Sequence, residues 1–578
     1  MNLSSIPFTR GRRQDGSSLF LTLVLAGIAL ATVAGVLSYA LNNMRLTFRS
    51  NQYQRALAAA EGTTEKVAAL IARDYLSGGE ALVAANLNSY RQTTLTSTDS
   101  SYWSDWEFND ASGNTGRTYV QLGAATNYVV VNSAFAGLKG YASVYTVVSD
   151  AREPGAPLDV TGGVLQQVQL ARIPIFQFAM YSTGDMEISC GQPFTITGRV
   201  HSNSRLYVEP DNLLTFQSLV TAVQSIQFQR STNDSRSAPG GSVVYQVPKQ
   251  TPVPSLLLPI GTTNTPDAVR EIVQPPPPLE SANSPIGKLR YYNLSDLILV
   301  VDDTSVTATS GGFNGFATPI PTNQLYEFVS LTNSFYDARE SKTVMPIDIN
   351  IGALTAWSGT NGSLRPALGS RDLSSVYVWD KRNLAGSQLG AVRLVNGLQL
   401  PSRGLTVATA RPLYVWGHYN QTNASYLGTN NTSTALPASL VADSVTLLSG
   451  NWTDTNSTAA VGSRNATPTT INAALLAGSV ESTNGYYGGG MENFPRFLET
   501  WGSGNALTYN GSMVKMFPSQ YATNMWGKSG VYSPPKRAWA YDINFDNPAL
   551  LPPLTPSLQW VLRGQWATVP PNQTASTH

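Results

Sequence analysis

The sequence predicts a mainly β protein, with a long N-terminal transmembrane α-helix followed by a large extracytoplasmic β region that is either parallel β-helix-like or a sandwich. Three observations carry this prediction. No charged residue occurs in Gly16–Met44. The 578-residue chain is rich in turn residues, with 48 Gly and 35 Pro. Beyond the helix, short β-branched and aromatic runs alternate with Gly, Asn and Ser, as strands and tight turns require.

The composition excludes several classes of function. Charged residues make up 13% of the chain and its net charge is +1, so no strongly basic face is expected and nucleic acid is not a predicted partner. The single cysteine, Cys190, rules out an intramolecular disulfide framework, and three histidines are too few for a His-rich metal centre. We therefore predict no metal and no cofactor.

The first element is an apolar helix that begins near Ser17. Ser17–Leu41 is long enough to cross a bilayer, which takes about 20 apolar residues. Arginines flank it in equal number on both sides, so the charge bias alone does not fix its orientation. Because a short 1–16 leader stays in the cytoplasm more easily than the long polar remainder, we expect the N-terminus inside. The residues assigned to the membrane helix are Ser18, Leu19, Leu21, Leu25, Leu30, Leu37 and Leu41.

The helix is predicted to continue beyond the membrane. Asn42–Leu76 contains no Pro, and its apolar residues recur at i, i+3 and i+4 spacing. Ser77-Gly78-Gly79 then provides a stop. The sequence thus predicts one helical segment over 17–76, roughly 90 Å long at about 1.5 Å per residue, lipid-facing in its first half and amphipathic in its second.

Three interpretations of this N-terminus remain open. A cleaved secretory signal would use Ser38-Tyr39-Ala40 as its cleavage site, and a plain membrane anchor would need no cleavage. The third rests on Arg12-Arg13-Gln14-Asp15-Gly16, followed by Ser17-Ser18-Leu19. This arrangement resembles a class III, prepilin-type signal, which implies processing between Gly16 and Ser17. The continuation Ala56–Glu61 is similar to the AAEA-type segment of PilX-like minor pilins of type IV pilus systems.

This resemblance covers about residues 10–76, and it implies three partners: the lipid bilayer, other pilin-like subunits and a prepilin peptidase. One position departs from the pattern. Major pilins carry a glutamate at the fifth mature position, and here that position is Leu21. A buried carboxylate is costly in lipid, so its absence eases insertion. It also removes a charge pair that would set register, which favours a minor or tip component over a bulk fibre subunit.

The remaining chain divides into a small β-rich domain at 80–172, a large one at 173–565 and a C-terminal tail at 566–578. A Pro- and Ser-rich surface excursion interrupts the large domain at 231–285, and its four consecutive prolines exclude a strand of a central sheet there. No strict repeat period is evident, so the β-helix and the sandwich both stay open. The predicted strands are Tyr119–Leu122, Tyr128–Val131, Tyr141–Val148, Val164–Leu170, Ser375–Trp379, Ala391–Val395, Gly404–Thr409, Pro412–Trp416, Ser444–Leu448 and Thr470–Leu476.

The large domain resembles mostly uncharacterised PilX-type envelope proteins. The resemblance carries no catalytic assignment, and it raises the expectation for the architecture more than for an activity. The segments that carry it are Gly198–Asn203, Arg411–Asn420, Pro437–Leu440 and Glu492–Glu499.

Candidate catalytic residues are few. Cys190 and His201 could form a nucleophilic pair on successive strands, but a buried thiol and a turn histidine are favoured. Asp337, Arg339 and Glu340 are interpreted as an ion-paired structural turn. Glu492–Glu499 has the spacing of a short amphipathic helix with its own ion pairs. No nucleophile elbow or phosphate-binding loop is present, and no catalytic residue is assigned.

The expected function is that of a non-enzymatic, minor pilin- or pseudopilin-like component of a type IV pilus or type II secretion-like system. The protein would be a single-pass membrane protein with its large C-terminal region outside the cytoplasm, acting as a surface structural or adhesive protein. Surface glycans are a further expected partner, with Tyr486-Tyr487 beside Gly488–Gly490 as the first place to look. The alternatives are a membrane-tethered β-helical polysaccharide-active enzyme and a surface structural protein with no pilus partner.

Overall fold

The computed structural model describes residues 17–123, 127–130, 137–234, 236, 240–260, 265–310, 316, 318–502, 504–527 and 530–571. The predicted leader 1–16, including Gly16, lies outside the described residues, as do Val131, part of the 231–285 excursion and the end of the predicted tail. The predicted order of a long N-terminal apolar helix followed by a large β region is confirmed.

The N-terminal helix is longer than the sequence predicted. Helix α1 spans Ser17–Ala85, with a break at Gly79, whose φ is 69° and ψ is −169°. A positive φ of this kind is readily adopted only by glycine, so the Ser77-Gly78-Gly79 stop makes a kink and the helix continues for one more turn or so. Helix α2 spans Leu87–Arg91. It is tied back to α1 by Asp74, whose carboxylate accepts hydrogen bonds from Tyr90 Oη at 2.7 Å and Asn86 Nδ2 at 2.8 Å.

A small antiparallel sheet packs on the second half of α1. Its early strands lie close to the predicted ones, because β-branched alternation is a local signal. They are β1 Glu107–Asn109, β2 Tyr119–Leu122, β3 Asn127–Val130, β4 Lys139–Arg152 and β5 Gly162–Pro174. The core between helix and sheet includes Val67, Ile71 and Tyr75 of α1, with Val147 and Val168 of the sheet.

Nine short strands follow, and they enter three sheets in turn. They are β6 Met180–Ser182, β7 Met186–Ile188, β8 Phe194–Ile196, β9 Val200–Ser202, β10 Leu206–Val208, β11 Leu213–Phe216, β12 Val220–Ala222, β13 Ile226–Gln227 and β14 Ser242–Tyr245. Met180, Val200 and Val220 are aligned in parallel pairing, 20 residues apart at each step. The sequence therefore does contain a strict local period of 20 residues, and the prediction that no strict repeat is present is wrong for this segment.

The next part of the chain forms most of the remaining strands and five short helices. In chain order these elements are α3 Pro266–Arg270, α4 Tyr291–Leu294, β15 Leu297–Val301, β16 Val306–Thr309, α5 Thr322–Leu325, β17 Val329–Ser330, β18 Phe335–Asp337, β19 Lys342–Asn350, α6 Ile351–Thr360, α7 Leu364–Ala367, β20 Ser375–Asp380, β21 Gln388–Val395, β22 Leu405–Thr409, β23 Leu413–Trp416, β24 Ala438–Ala442, β25 Val445–Leu448, β26 Thr469–Asn472, β27 Ala474–Ser479, β28 Pro495–Arg496, β29 Ala506–Gly511, β30 Met513–Pro518 and β31 Lys536–Tyr541. The strands predicted in the last third of the chain are confirmed to within a few residues, except that Thr470–Leu476 divides into β26 and β27.

These strands form mostly parallel sheets, and from β19 to β31, as in β6–β14, consecutive strands enter different sheets. A ten-stranded sheet has the order β12-β9-β6-β30-β27-β24-β22-β20-β15-β16, and only its edge strand β16 is antiparallel. A seven-stranded sheet has the order β17-β19-β21-β23-β25-β28, with β18 also pairing with β19. Three-stranded parallel sheets are β13-β10-β7, β14-β11-β8 and β26-β29-β31.

The spatial order of the ten-stranded sheet is not the chain order. Read from β15, the strands follow the chain up to β30, and β30 then pairs in parallel with β6, Met513 beside Met180. The earliest strands of the large region, β6, β9 and β12, thus continue the stack beyond β30, the last of the later strands in it. The chain must therefore return from β14 at one end of the stack to β15 at the other.

That return segment covers the outer face of the ten-stranded sheet, and we name it the strap (residues 250–260 and 265–296). It coincides with much of the predicted surface excursion. Val253, Leu256 and Val273 are buried in an outer core beneath it. Tyr181 of β6 donates its hydroxyl to Leu256 O at 2.7 Å, and Tyr377 of β20 donates to Val273 O at 2.7 Å. The described part of the excursion is thus a packed cover, and no strand occurs at its four prolines.

The prediction of a C-terminal tail at 566–578 is wrong for residues 566–569, which belong to a strand. Strand β32, Ser557–Val569, pairs antiparallel with β5 and completes the six-stranded sheet that packs on α1. The predicted domain boundary at 565/566 falls inside this strand. Residues 175–556 therefore lie, along the chain, between two neighbouring strands of the small sheet. The sequence did not predict this, because hydrogen bonds to a distant strand leave no local signal.

Candidate assembly surface on the N-terminal helix

The first half of α1 projects away from the rest of the structure, and we name this part, residues 18–51, the free half-helix. Every residue in it is solvent-exposed. Leu19 is 68% exposed and Leu30 is 71% exposed. The residues predicted to form the membrane helix all lie on it: Ser18, Leu19, Leu21, Leu25, Leu30, Leu37 and Leu41. An apolar surface of this extent is unfavourable in water and marks a membrane or protein contact.

Two threonine hydroxyls in the apolar part of the free half-helix are satisfied by its own backbone. Thr22 Oγ1 donates to the carbonyls of Ser18 and Leu19, and Thr32 Oγ1 donates to Ile28 and Ala29, at 2.8–3.0 Å. Because hydrocarbon offers no hydrogen-bond partner, such internal pairing is what a lipid-embedded helix needs. Within the described residues this is also the one helix long and apolar enough to cross a membrane, and none of its most apolar 18-residue window is buried.

Burial begins at Gln52, where the small sheet meets the helix. Ala56, Ala59 and Ala60 are buried, and their methyl groups let the sheet approach the helix backbone closely. A side chain on Gly162, the first residue of β5, would place its Cβ 2.7 Å from Leu57 N and 3.0 Å from Ala56 C. The alanine-rich segment singled out in the sequence is therefore the contact at which α1 is clamped to the head.

The two predicted processing residues can be located only in part. Gly16 lies outside the described residues, and Ser17 is the first residue of α1. The fifth residue from Ser17 is Leu21, which is 60% exposed. No carboxylate is available between Ser17 and Met44 to pair with a neighbouring amine.

The predicted alternative of a Cys190–His201 pair is not formed. Cys190 lies in the inner core, among residues such as Met186 and Leu206, and burial raises the pKa of its thiol to about 12. His201 instead stacks on the ring of Tyr181, a residue of the outer core on the other side of the sheet, with 5.6 Å between ring centroids. The thiol stays protonated near neutral pH.

Three other candidate residues, Asp337, Arg339 and Glu340, have a structural role in the described part of the chain. Asp337 accepts hydrogen bonds from the backbone N–H groups of Arg339 and Glu340 at 2.7 and 3.0 Å, and from Tyr414 Oη at 2.6 Å. Glu340 in turn pairs with Arg496 at 2.6 Å. The ion-paired turn predicted for this segment is thus present. It is buried, so it offers no accessible chemistry.

The aromatic pair proposed as a glycan contact is largely inaccessible. Tyr487 is 7% exposed, and it lies between Arg236, whose guanidinium is 4.7 Å from its ring centroid, and Trp526 at 5.5 Å. Tyr486 donates its hydroxyl to Thr523 O at 2.6 Å. Tyr487 therefore presents no free face of the kind that stacking on a sugar requires, whereas Tyr486 is partly exposed.

The sequence reasoning missed an acidic cluster where β6–β14 meet the later strands. Glu187 of β7, Asp234 and Glu492 are buried together beside Arg236, and Glu492 accepts a hydrogen bond from Ser189 N at 3.2 Å. Burial, and then the neighbouring Glu492 and Asp234, raise the pKa of Glu187 to about 8. Glu187 also lines a cleft of about 410 Å³. Residues so far apart in the chain gave no signal that they would meet.

Comparisons with known proteins give a likeness in structure but none in sequence. No protein-family model matches the chain, and no curated protein matches it in sequence. In structure, the chain is similar to the competence-associated pilin ComZ from Thermus thermophilus, with 10% sequence identity over 90% of this chain and 98% of that chain, and a TM-score of 0.27. At this score the likeness carries no argument about fold or function.

Proposed function

We propose that this chain is a minor pilin- or pseudopilin-like component of a type IV pilus or type II secretion-like system. One observation supports the proposal above the others: a single helix is apolar from Ser18 to Leu41 and exposed as far as Asn51, and from Gln52 onward the same helix packs in the core of a globular head. A helix whose second half packs in the head and whose first half is uncovered suits a subunit that leaves a bilayer and then packs against neighbouring helices.

The mechanism is physical. The free half-helix partitions into the hydrocarbon because burying each large apolar side chain contributes about 1.5–3 kcal/mol. The arginines on either side of its apolar stretch Ser17–Leu41 stay at the two interfaces, and the head is held outside the cytoplasm on a single span. When the subunit leaves the membrane, the apolar surface that lipid covered is covered by the helices of other subunits. No bond is made or broken in this step.

Leucine at position 21 supports a minor or tip position for the subunit in a fibre. A carboxylate at this place would pair with the N-terminal amine of a neighbour and set the register of a repeating fibre. With leucine there, entry into the membrane is easier and the register signal is missing. The protein would therefore prime, cap or decorate a fibre that other subunits build, as the resemblance to PilX-like minor pilins implies.

We further infer that the large region is a parallel β-helix. The support is the strand order: within β6–β14 and within β19–β31 consecutive strands enter different sheets, equivalent strands pair in parallel, and β6, β9 and β12 follow each other at 20-residue steps. A stack of this kind is stiff, because every turn is hydrogen-bonded to the next. It would hold an extended head surface away from the cell, as an adhesive or structural subunit needs.

Processing tests the proposal directly. Mass spectrometry of the full-length protein, expressed with and without a functional prepilin peptidase, should show a mature chain beginning at Ser17 only when the peptidase is present. Gly16→Asp should block this conversion, whereas Gly11→Asp, which adds the same charge within the leader, should leave it intact. An N-terminus that is the same in all four cases would refute the pilin-like assignment.

A second experiment separates a pilus subunit from a simple surface protein. After shearing of intact cells, the processed protein should appear in the fibre fraction, and Leu30→Arg should remove it from that fraction because a charge at a helix contact is costly. If the protein is processed but stays wholly with the membrane, a surface structural protein with no pilus partner is the better assignment.

The polysaccharide-active enzyme remains a second candidate, and the cleft beside Glu187 is the observation that favours it. A carboxyl group with a raised pKa near a cleft has the property that a general acid needs. Depolymerisation of any member of a panel of acidic polysaccharides, abolished in Glu187→Gln but retained in Glu481→Gln on the rim of the same cleft, would establish it. Without such an activity, Glu187 is part of a structural cluster.

A further inference from the structure

A second cleft opens far from the small sheet, and we name it the His418 cleft. It has a volume of about 630 Å³, within the roughly 300–1,000 Å³ typical of small-ligand sites. It lies where the neighbouring parallel strands β19, β21 and β23 end, between Asn350, the last residue of β19, and Asn396 and His418, which follow β21 and β23. The loop before β17 forms the opposite wall with Tyr326 and Glu327.

Several polar groups of the His418 cleft have no partner in the described part of the chain. The Nδ1 atom of His418 accepts a hydrogen bond from Thr470 N at 3.0 Å, which leaves Nε2 as a donor in the neutral ring. Burial lowers the pKa of His418, so the ring is neutral near pH 7. Asn350 Oδ1 accepts from Ala353 N at 3.1 Å and leaves its amide N–H groups available. Asn396 is exposed and makes no side-chain hydrogen bond.

Two aromatic rings border these polar groups. Tyr326 is 45% exposed. Trp416 is partly exposed and is held in place from beneath by Arg393, whose guanidinium lies 4.9 Å from the ring centroid. Arg393 is itself fixed by two-point contact with Asp348 at 2.7 and 2.8 Å. Aromatic surfaces held rigidly beside unpaired donors and acceptors make a preorganised binding surface.

The charge of the lining restricts the ligand. Among the described residues, Glu327 and Asp348 are the charged groups that line the cleft, and Asp348 is already paired with Arg393. With no free cation to meet them, phosphates, sulfates and uronic acids would be repelled. The unpaired groups are both donors and acceptors, and a sugar hydroxyl likewise acts as both.

We propose that the His418 cleft binds an uncharged oligosaccharide, with its hydroxyls hydrogen-bonded to Asn350, Asn396 and His418 and its apolar ring face against Tyr326 or Trp416. This deepens the proposed adhesive role by naming a ligand class and a place. It rests on the proposed function only in locating the cleft outside the cell.

The test uses the full-length protein in lauryldimethylamine oxide, a detergent without a sugar headgroup that could compete. Titration calorimetry with neutral tetrasaccharides of glucose, mannose and N-acetylglucosamine should show binding of at least one of them, while the matching uronic-acid tetrasaccharides should not bind. Asn396→Gly removes the carboxamide and tolerates the φ of 55° at this position. Asn396→Gly and Tyr326→Ala should each weaken binding about ten-fold.

Tyr102→Ala is the matched control, because Tyr102 is 49% exposed and lies in the small domain. It should leave affinity unchanged. The proposal is overturned if no neutral tetrasaccharide binds, if acidic sugars or peptides bind instead, or if both cleft variants bind like the unaltered protein while their thermal unfolding is also unaltered. Binding by purified protein does not depend on processing or fibre entry, so the failure of this proposal and the failure of the pilin assignment are distinguishable.

Discussion

The backbone N–H of Ile175 donates to the carbonyl of Pro556 at 2.9 Å, so the two ends of the large region meet. Directly beyond this contact, Pro174 and Ser557 are the first pair of the β5–β32 ladder. Two adjacent antiparallel strands are usually joined by a hairpin of a few residues. Here the entire large region occupies that place, and the sheet that clamps α1 is completed by the last strand of the chain.

Deleting residues 557–578 should therefore unfold the small domain. The deletion removes the whole of β32 from its ladder with β5, together with the buried Val569 of the small sheet and with Leu558 and Leu562, which pack in the outer core. Each of these side chains contributes about 1.5–3 kcal/mol, a sum comparable to the stability of a whole domain of about 5–15 kcal/mol. Limited trypsin digestion in detergent should then cut after Arg152 and Arg172 within β4 and β5. Deleting residues 572–578 alone should leave both sites protected, and equal resistance of the two truncated chains would contradict this role of β32.

Gly162→Ala should weaken the clamp between helix and sheet. The added methyl group would lie 2.7 Å from Leu57 N, a backbone atom that can yield only if the whole helix shifts. Overpacking of this kind costs about 1–3 kcal/mol, which thermal unfolding of the head would register as a lower midpoint. Gly386→Ala, where a Cβ meets nothing within 4 Å, serves as the control. A midpoint equal in both variants would mean that the contact is looser than described.

Much of the fold could be predicted from the sequence wherever the signal is local. The predicted Ser444–Leu448 agrees with β25 at Val445–Leu448, since alternation of apolar residues identifies a strand without knowledge of its neighbours. The apolar start of α1 was predicted because an uninterrupted apolar run is likewise a local signal, although the exposed part of the helix continues to Asn51, beyond the predicted Leu41. The 20-residue period at Met180, Val200 and Val220 was missed because the repeat conserves burial and not residue type.

Contacts between distant segments could not be predicted. Glu492–Glu499 has helical spacing, yet the prediction of a helix with its own ion pairs is wrong: Pro495–Arg496 is strand β28. Arg496 pairs with Glu340, 156 residues earlier, and Glu499 accepts from Ser449. The His418 cleft was likewise invisible, because its lining comes from five segments that only the parallel stacking brings together.

The stability of the large region should fall as the solution is acidified, and His201 is one identifiable cause. Burial lowers its pKa to about 4, against about 6.5 in an unfolded chain. Between these values the unfolded state binds more protons than the folded state. The contribution of His201 is therefore complete above pH about 6.5 and is lost as the pH falls toward 4, about 3 kcal/mol in all.

His201→Gln tests this assignment. Its free energy of unfolding in urea, measured at pH 7 and pH 4.5, should change less with pH than that of the unaltered protein. His418→Gln is the comparison, because the pKa of His418 is lowered in a less buried position. The same pH dependence in His201→Gln and in the unaltered protein would show that other groups are responsible.

The two kinds of ion pair in this molecule should respond very differently to loss of the arginine. Arg393 has no exposed side-chain surface and bridges Asp348 and Asp454 at 2.7 and 2.6 Å, so Arg393→Met would leave buried carboxylates uncompensated at a cost of about 3–5 kcal/mol. Arg563 pairs with Glu65 at 2.6 Å, but 71% of its side chain is exposed, and Arg563→Met should change the free energy of unfolding by about 0.5 kcal/mol or less. Chemical denaturation of both variants measures the difference. Adding Asp348→Asn to Arg393→Met should recover part of the loss, because it removes one of the unpaired charges; if it recovers nothing, the cost lies in lost packing beneath Trp416 and not in charge.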